Sequence, residues 1–189
     1  MLKKIFEFIK KNVPQLSGPQ PHAVKEAAIQ EYKKCYDIHT FVETGTYMGE
    51  MVEAMKNSFG KIYSIELNEE LYQKAKEKFA KDNNVSIIHG DSGSILPSLL
   101  NSITEPVLFW LDGHYSCGFT SKGELDTPIK SELESIFVHA NKGHVILIDD
   151  ARLFNGTNDY PTYRDVKMIV KKYGYTSKKG NDIIAIYRP

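Results

Sequence analysis

Phe41-Val42-Glu43-Thr44-Gly45-Thr46-Tyr47-Met48-Gly49 and, one segment later, Ile62-Tyr63-Ser64-Ile65-Glu66-Leu67 decide the fold. Each is a short apolar run that delivers an acid, and a glycine turn follows the first acid directly. Glu66 stands twenty-one residues after Gly45, about the span of one strand–helix–strand unit. In nucleotide-binding sheets that separation sets a carboxylate beside a ribose, near a turn whose backbone a ligand can touch. A carboxylate at Glu66 can accept hydrogen bonds from two vicinal hydroxyls. Gly45 and Gly49 permit close backbone approach, and the next helix would offer its first N–H groups to a carboxylate or phosphate. Tyr47 occupies the middle glycine position of the dinucleotide fingerprint, which argues against a pyrophosphate ligand. The plain alternatives are an ordinary tight turn for the glycines and a first-turn helix charge for Glu66. Asn68 is the better helix cap, which leaves Glu66 for a ligand.

Outward from this pair, strands and helices alternate. Strands are expected near 39–43, 61–66, 85–89, 107–111 and 144–149, and helices near 48–58, 69–81, 93–101, 124–140 and 162–172. Val107-Leu108-Phe109-Trp110-Leu111 and Val145-Ile146-Leu147-Ile148 carry no polar alternation. Strands buried on both faces of a helix-covered parallel sheet look like that. Tyr173–Ser177 and Ile183–Tyr187 flank Lys178-Lys179-Gly180-Asn181-Asp182 and read as an antiparallel hairpin around a turn. Upstream, His22–Tyr36 has apolar residues at Ala23, Ala27, Ala28, Tyr32 and Cys35 and is expected to be helical.

The chain has 189 residues, enough for one domain with a sizeable core. Lys plus Arg and Asp plus Glu both total 24, so the surface as a whole recruits neither nucleic acid nor an anionic membrane. Cys35 and Cys117 have no metal spacing and form no disulfide framework, so a cytoplasmic setting is the default. Leu2, Ile5, Phe6, Ile9 and Val13 follow helical spacing behind basic residues. That helix is expected on the body or on a partner subunit, as in a homo-oligomer joined through N-terminal helices; weak membrane-surface contact is the alternative. It is too short for a transmembrane segment.

Other polar residues gather where strands end. Ile87-Ile88-His89-Gly90-Asp91-Ser92 closes a strand; Asp91 and Ser92 can meet a purine edge or cap the helix beginning near Gly93. Leu111-Asp112-Gly113-His114-Tyr115 and Ile148-Asp149-Asp150-Ala151 close two more. Three carboxylates at adjacent strand ends repel and raise one another's pKa. A hard cation such as Mg²⁺ relieves that repulsion; caps and ion pairs to Arg152 or nearby lysines do so without a metal. His114 beside such a metal could act as general base. Thr127 is expected to cap a helix with Pro128 at its first position. The loops at Gly113–Gly123 and Ala151–Thr162 follow strands ending in aspartate, where α/β folds bind ligands.

From Thr40 to Arg188 the chain resembles the class I S-adenosylmethionine-dependent methyltransferases. The resemblance rests on Val42 to Gly49, Ser64-Ile65-Glu66, Gly90-Asp91-Ser92, Asp112 and Asp149-Asp150 in that order and spacing. It implies a Rossmann-like three-layer α/β/α sandwich with a mostly parallel seven-stranded sheet and an antiparallel C-terminal hairpin. Residues 39–189 would form the cofactor-binding domain and residues 1–38 a helical extension. Carried over, Glu43 and Gly45 contact the methionine part of the cofactor, Glu66 the ribose, and Asp91 with Ser92 the adenine; Thr44, Thr46, Gly49, Leu67 and Asp112 complete the cofactor-binding set. Asp112, Asp149 and Asp150 also resemble the metal site of cation-dependent O-methyltransferases, where Mg²⁺ is bound. Those enzymes commonly have asparagine at the Asp150 position and a lysine where Tyr115 stands. The expected activity is S-adenosylmethionine-dependent O-methylation of a small-molecule acceptor such as a sugar or secondary metabolite, with His114 as base. A nicotinamide-type oxidoreductase and a non-catalytic member of the fold are the competing readings.

Overall fold

A computed structural model describes residues 18–113, 127–139 and 143–189. The expected helix over Leu2–Val13, His114, Cys117 and the loop from Tyr115 to Gly123 lie outside the described residues. Helix α1 (His22–Tyr36) leads into β1 (Thr40–Thr44), α2 (Glu50–Met55), β2 (Lys61–Glu66), α3 (Glu69–Lys78) and β3 (Val85–His89). Then come α4 (Ser92–Asn101), β4 (Val107–Leu111), α5 (Ile129–Val138), β5 (Val145–Ile148), α6 (Tyr163–Lys172), β6 (Thr176–Gly180) and β7 (Ile183–Tyr187). The seven strands run in the order β3-β2-β1-β4-β5-β7-β6. The pairs from β3 through β5 are parallel, and β7 is antiparallel to both β5 and β6.

Strand side chains alternate between two cores, which explains the uninterrupted apolar runs. Val42, Phe109, Leu111, Ile146 and Ile148 pack with Leu96, Leu133, Ile136 and Val166 of α4, α5 and α6. Phe41, Leu108, Trp110, Val145 and Leu147 pack with Ile29, Val52, Met55 and Ala75 of α1, α2 and α3. The result is the expected α/β/α sandwich. Strand order reverses between β1 and β4, so the C-terminal ends of these two strands form the crevice where open sheets of this kind hold ligands.

Several local expectations shift. In α1 the buried residues are Ile29 and Tyr32, whereas Ala23, Ala27 and Cys35 are exposed. Large side chains bury more area than alanines, so Ile29 and Tyr32 set the docking face. The hairpin turn is two residues, Asn181 (φ 51°) and Asp182 (φ 56°), rather than five. Paired positive φ values there match the right-handed twist of the flanking strands. Helix α5 starts at Ile129 with Pro128 as its cap residue, and Thr127 Oγ1 accepts from the Ile129 N–H at 3.3 Å. Among the described residues no helix is long and apolar enough to cross a membrane.

Candidate active site

Strand β2 ends at Glu66, whose two carboxylate oxygens tie two segments together. Tyr47 N–H donates to Oε2 at 2.8 Å and Asn68 N–H donates to Oε1 at 2.9 Å. Asn68 caps α3 by accepting from Leu71 N–H at 3.0 Å, so the helix does not consume Glu66. Each carboxylate oxygen has about two lone-pair sites, and one protein bond apiece leaves capacity for a diol. Leu67 follows, its carbonyl meeting the His89 ring at 3.1 Å.

The turn after β1 is built from left-handed backbone at Gly45 (φ 85°), Tyr47 (φ 48°) and Gly49 (φ 69°). Tyr47 thus adopts the conformation a glycine would supply more cheaply. Helix α2 has only six residues, and Glu50 and Glu53 lie in its first turn. Acids there disfavour a phosphate at that helix end, which agrees with the missing fingerprint glycine. Behind the turn, Ser64 Oγ donates to Glu43 Oε2 at 2.5 Å and Thr46 Oγ1 lies 2.6 Å from Ser64 Oγ. Burial pushes the Glu43 carboxyl up to about 8, against the opposing Ser64 bond; Asp112 and Glu66 add to the rise.

Strand β3 leads to Asp91, which caps α4 by accepting from Ser94 N–H at 3.0 Å and Ser94 Oγ at 3.2 Å. Both bonds fall on Oδ1. Ser92 opens α4, so the helix ladder does not use its N–H. The Ser92 hydroxyl donates to Glu132 Oε1 at 2.6 Å. Glu132, on α5, is 1% exposed, and burial pushes its carboxyl up to about 7 despite hydrogen bonds from Ser92 and Thr44. Sequence reading did not single out Glu132. The signal was present: it shares the face of Ile129, Leu133 and Ile136, all buried, and an acid at such a position needs a buried partner.

At the ends of β4 and β5, Asp112, Asp149 and Asp150 come near one another, and each acts electrostatically on Lys25 of α1. Lys25 Nζ donates to Asp149 Oδ2, and Arg152 Nη1 donates to Asp150 Oδ1 at 2.6 Å. Asp149 is pushed up by burial first and then by Asp112, against the opposing bond from Lys25. Among the described residues no group of three His, Cys, Asp or Glu side chains is disposed to hold a metal ion. The donor set therefore does not fit Mg²⁺: two of the expected ligands already accept bonds from cationic side chains. Tyr160 approaches the same edge, its phenol pushed up by burial and then by Asp150 and Asp112. Phe154 and Tyr160, in the Ala151–Thr162 loop, pack on each other with centroids 5.2 Å apart and are both buried.

Two raised carboxyls, Glu43 and Glu132, set the sign of the pH dependence. Unfolded, they release their protons near 4.5; folded, they hold them to about 8 and about 7. The native state binds more protons in between, so their stabilising contribution is complete below about pH 4 and is lost as pH rises through 7 to 8. The urea midpoint is expected to fall from pH 5 to pH 8.5. Glu43→Gln keeps an acceptor for Ser64 without the titration and should reduce that fall; a midpoint that rises with pH excludes the account.

Solved structures of several methyltransferases share this architecture. The O-methyltransferase TomG of Streptomyces achromogenes, involved in tomaymycin synthesis and crystallised with SAM, matches with TM-score 0.65 at 16% identity over 99% of this chain and 88% of its own. An O-methyltransferase of Bacillus cereus in complex with SAH matches with TM-score 0.60 at 15% identity over 100% and 90%. The 23S rRNA methyltransferase ErmE matches with TM-score 0.58 at 14% identity over 91% and 70%. No protein-family model matches the chain, and no curated protein does. At such identities the likeness is one of architecture, and the chain has the Rossmann-like fold of the class I S-adenosylmethionine-dependent methyltransferases.

Proposed function

We propose that this chain is an S-adenosylmethionine-dependent methyltransferase acting on an oxygen of a small-molecule acceptor. The observation that carries the reading is Glu66, fixed at the end of β2 by Tyr47 and Asn68 N–H groups and holding lone pairs in reserve beside the glycine turn. In this reading Glu66 with Leu67 binds the ribose. Asp91 Oδ2 and the Ser92 N–H take the adenine edge. The turn from Thr44 to Gly49 lies along the methionine part, with Glu43 and Asp112 behind it.

When bound, the cofactor supplies a methyl group on a cationic sulfur. The acceptor oxygen forms a bond to that carbon as the carbon–sulfur bond breaks, sulfur keeps the electron pair, and the acceptor proton leaves. The protein's part is to align oxygen, carbon and sulfur and to keep water out. His114, two positions past Asp112 in the chain, is assigned the proton. No step passes through a metal ion. The small-molecule assignment is supported by the O-methyltransferase of tomaymycin synthesis, while the ribosomal RNA enzyme shows that the architecture also serves nucleic acid.

Titration calorimetry with S-adenosylhomocysteine tests the cofactor. Binding of one equivalent is expected, with none for NAD. Absence of binding by the wild-type chain sinks the reading.

A further inference from the structure

The carboxylates at the C-terminal edge of the sheet already have cations. Lys25 Nζ donates to Asp149 Oδ2 and sits 6.0 Å from the centroid of the Trp110 ring. Asp112 and Asp150 act on the same ammonium. Arg152 binds Asp150 and also Asp182, the latter through Nη1 and through its backbone N–H at 2.7 Å. Lys25, Ile29 and Tyr32 are spaced four and three residues apart, so they share one face of α1. Ile29 and Tyr32 are buried on the sheet. Docking of the helix and delivery of the ammonium are therefore a single event.

Mg²⁺ demands near-octahedral oxygen ligands at about 2.0–2.1 Å and keeps several waters. Asp149 Oδ2 and Asp150 Oδ1 each face a cationic donor instead. Lys25 engages one oxygen of Asp149 only; the other, Oδ1, is buried away from water and has no partner among the described residues. An ammonium meets this geometry better: it is a compact charge on a flexible stem and needs no shell of retained waters.

We propose that Lys25 takes the place of a divalent cation in this chain, its ammonium being the fixed counter-charge of Asp149, Asp112 and Asp150. Lys25 is a positioning residue: it holds the β4 and β5 ends at the reaction edge. Because it is covalently part of the chain, no chelator removes it. The inference stands independently of the methyl-transfer reading, since its test reads cation binding alone.

Free Mn²⁺ is followed by electron paramagnetic resonance during titration of the full chain. The wild type is expected to take up none. Lys25→Ala removes one positive charge and frees one carboxylate, and is expected to gain Mn²⁺ affinity by about tenfold or more; adding Asp149→Asn should abolish the gain. Lys25→Gln, which keeps a polar head group, is the second variant, and circular dichroism reports which variants fold. Wild-type uptake that Asp149→Asn removes overturns the proposal, as does a folded Lys25→Ala that binds no more Mn²⁺ than wild type. If neither variant folds, the wild-type titration decides: absence of uptake supports the lysine, and uptake overturns it.

Discussion

Glu66→Ala is expected to weaken S-adenosylhomocysteine binding by about a hundredfold, or ~2.7 kcal/mol. Hydrogen bonds to a charged acceptor contribute roughly 1.5–3 kcal/mol each, so the low end of that range for two ribose hydroxyls already reaches a hundredfold. The same substitution also strips the partners from Tyr47 N–H and Asn68 N–H. The turn after β1 then loses its tie to β2, adding an ordering cost on binding. The fold should survive, because Gly45 N–H still donates to Ile65 O at 2.9 Å and the β1–β2 ladder remains. Glu66→Gln is not a neutral control: its amide NH₂ would face one of the two backbone donors. Calorimetry beside a urea melt separates the outcomes. An alanine variant that keeps its stability and binds within about threefold of wild type, ~0.65 kcal/mol, removes Glu66 from the site.

The five parallel strands were legible because their signal is local, whereas the first hairpin strand, expected over Tyr173–Ser177, lies at Thr176–Gly180. Runs such as Val107–Leu111 have no polar residue to place on a solvated face, and each is bounded by an acid or a glycine. Asn68 as the cap of α3 was legible for the same reason, since capping uses groups only three residues apart. Asp91 shows the limit of such reasoning. Its sequence allowed either a cap or a ligand contact, and it does cap α4 through Oδ1, which by itself leaves the adenine contact undecided.

What stayed hidden lies on helix faces. Lys25 and Asp149 are 124 residues apart, and no local pattern joins them. Glu132 and Ser92 are separated by 40. Both charged residues occupy the buried stripe of an otherwise ordinary amphipathic helix: Lys25 one turn before Ile29, Glu132 between Ile129 and Leu133. The apolar positions read in α1, Ala23, Ala27, Ala28, Tyr32 and Cys35, included the buried Tyr32 but left out Ile29, and with it the face that Lys25 shares. Weighting side chains by the area they can bury would have set Ile29 and Tyr32 inward and exposed the lysine as a buried charge in need of a partner. The repulsion among the strand-end aspartates was foreseeable. That a lysine 124 residues away in the chain relieves it depends on tertiary packing.

Gly45→Ala is expected to cost about 2–4 kcal/mol, the sum of a left-handed backbone penalty and a backbone clash. At φ 85° an added Cβ would lie 2.7 Å from the Asp112 carbonyl oxygen and 3.0 Å from its carbon. That oxygen belongs to the end of β4, and Asp112 N–H donates to Thr44 O at 3.1 Å. The strand ends therefore cannot part without weakening the pairing that defines the crevice. Gly174 provides the comparison, with φ 75° and nothing within 4 Å of its added Cβ. Gly174→Ala carries the dihedral penalty of roughly 1–2 kcal/mol alone, offset by about 0.4–1 kcal/mol from the lost entropy of the unfolded chain. The difference between the two variants isolates the close approach of β1 to β4. In a chain of this size each kcal/mol lowers the melting temperature by about 2–4 °C, so Gly45→Ala should melt well below Gly174→Ala. Cofactor affinity should fall only for Gly45→Ala, because only that substitution pushes apart strand ends at the ligand crevice. Equal melting temperatures would show that the β4 end yields freely, and the glycine would then be needed for its dihedral angle alone.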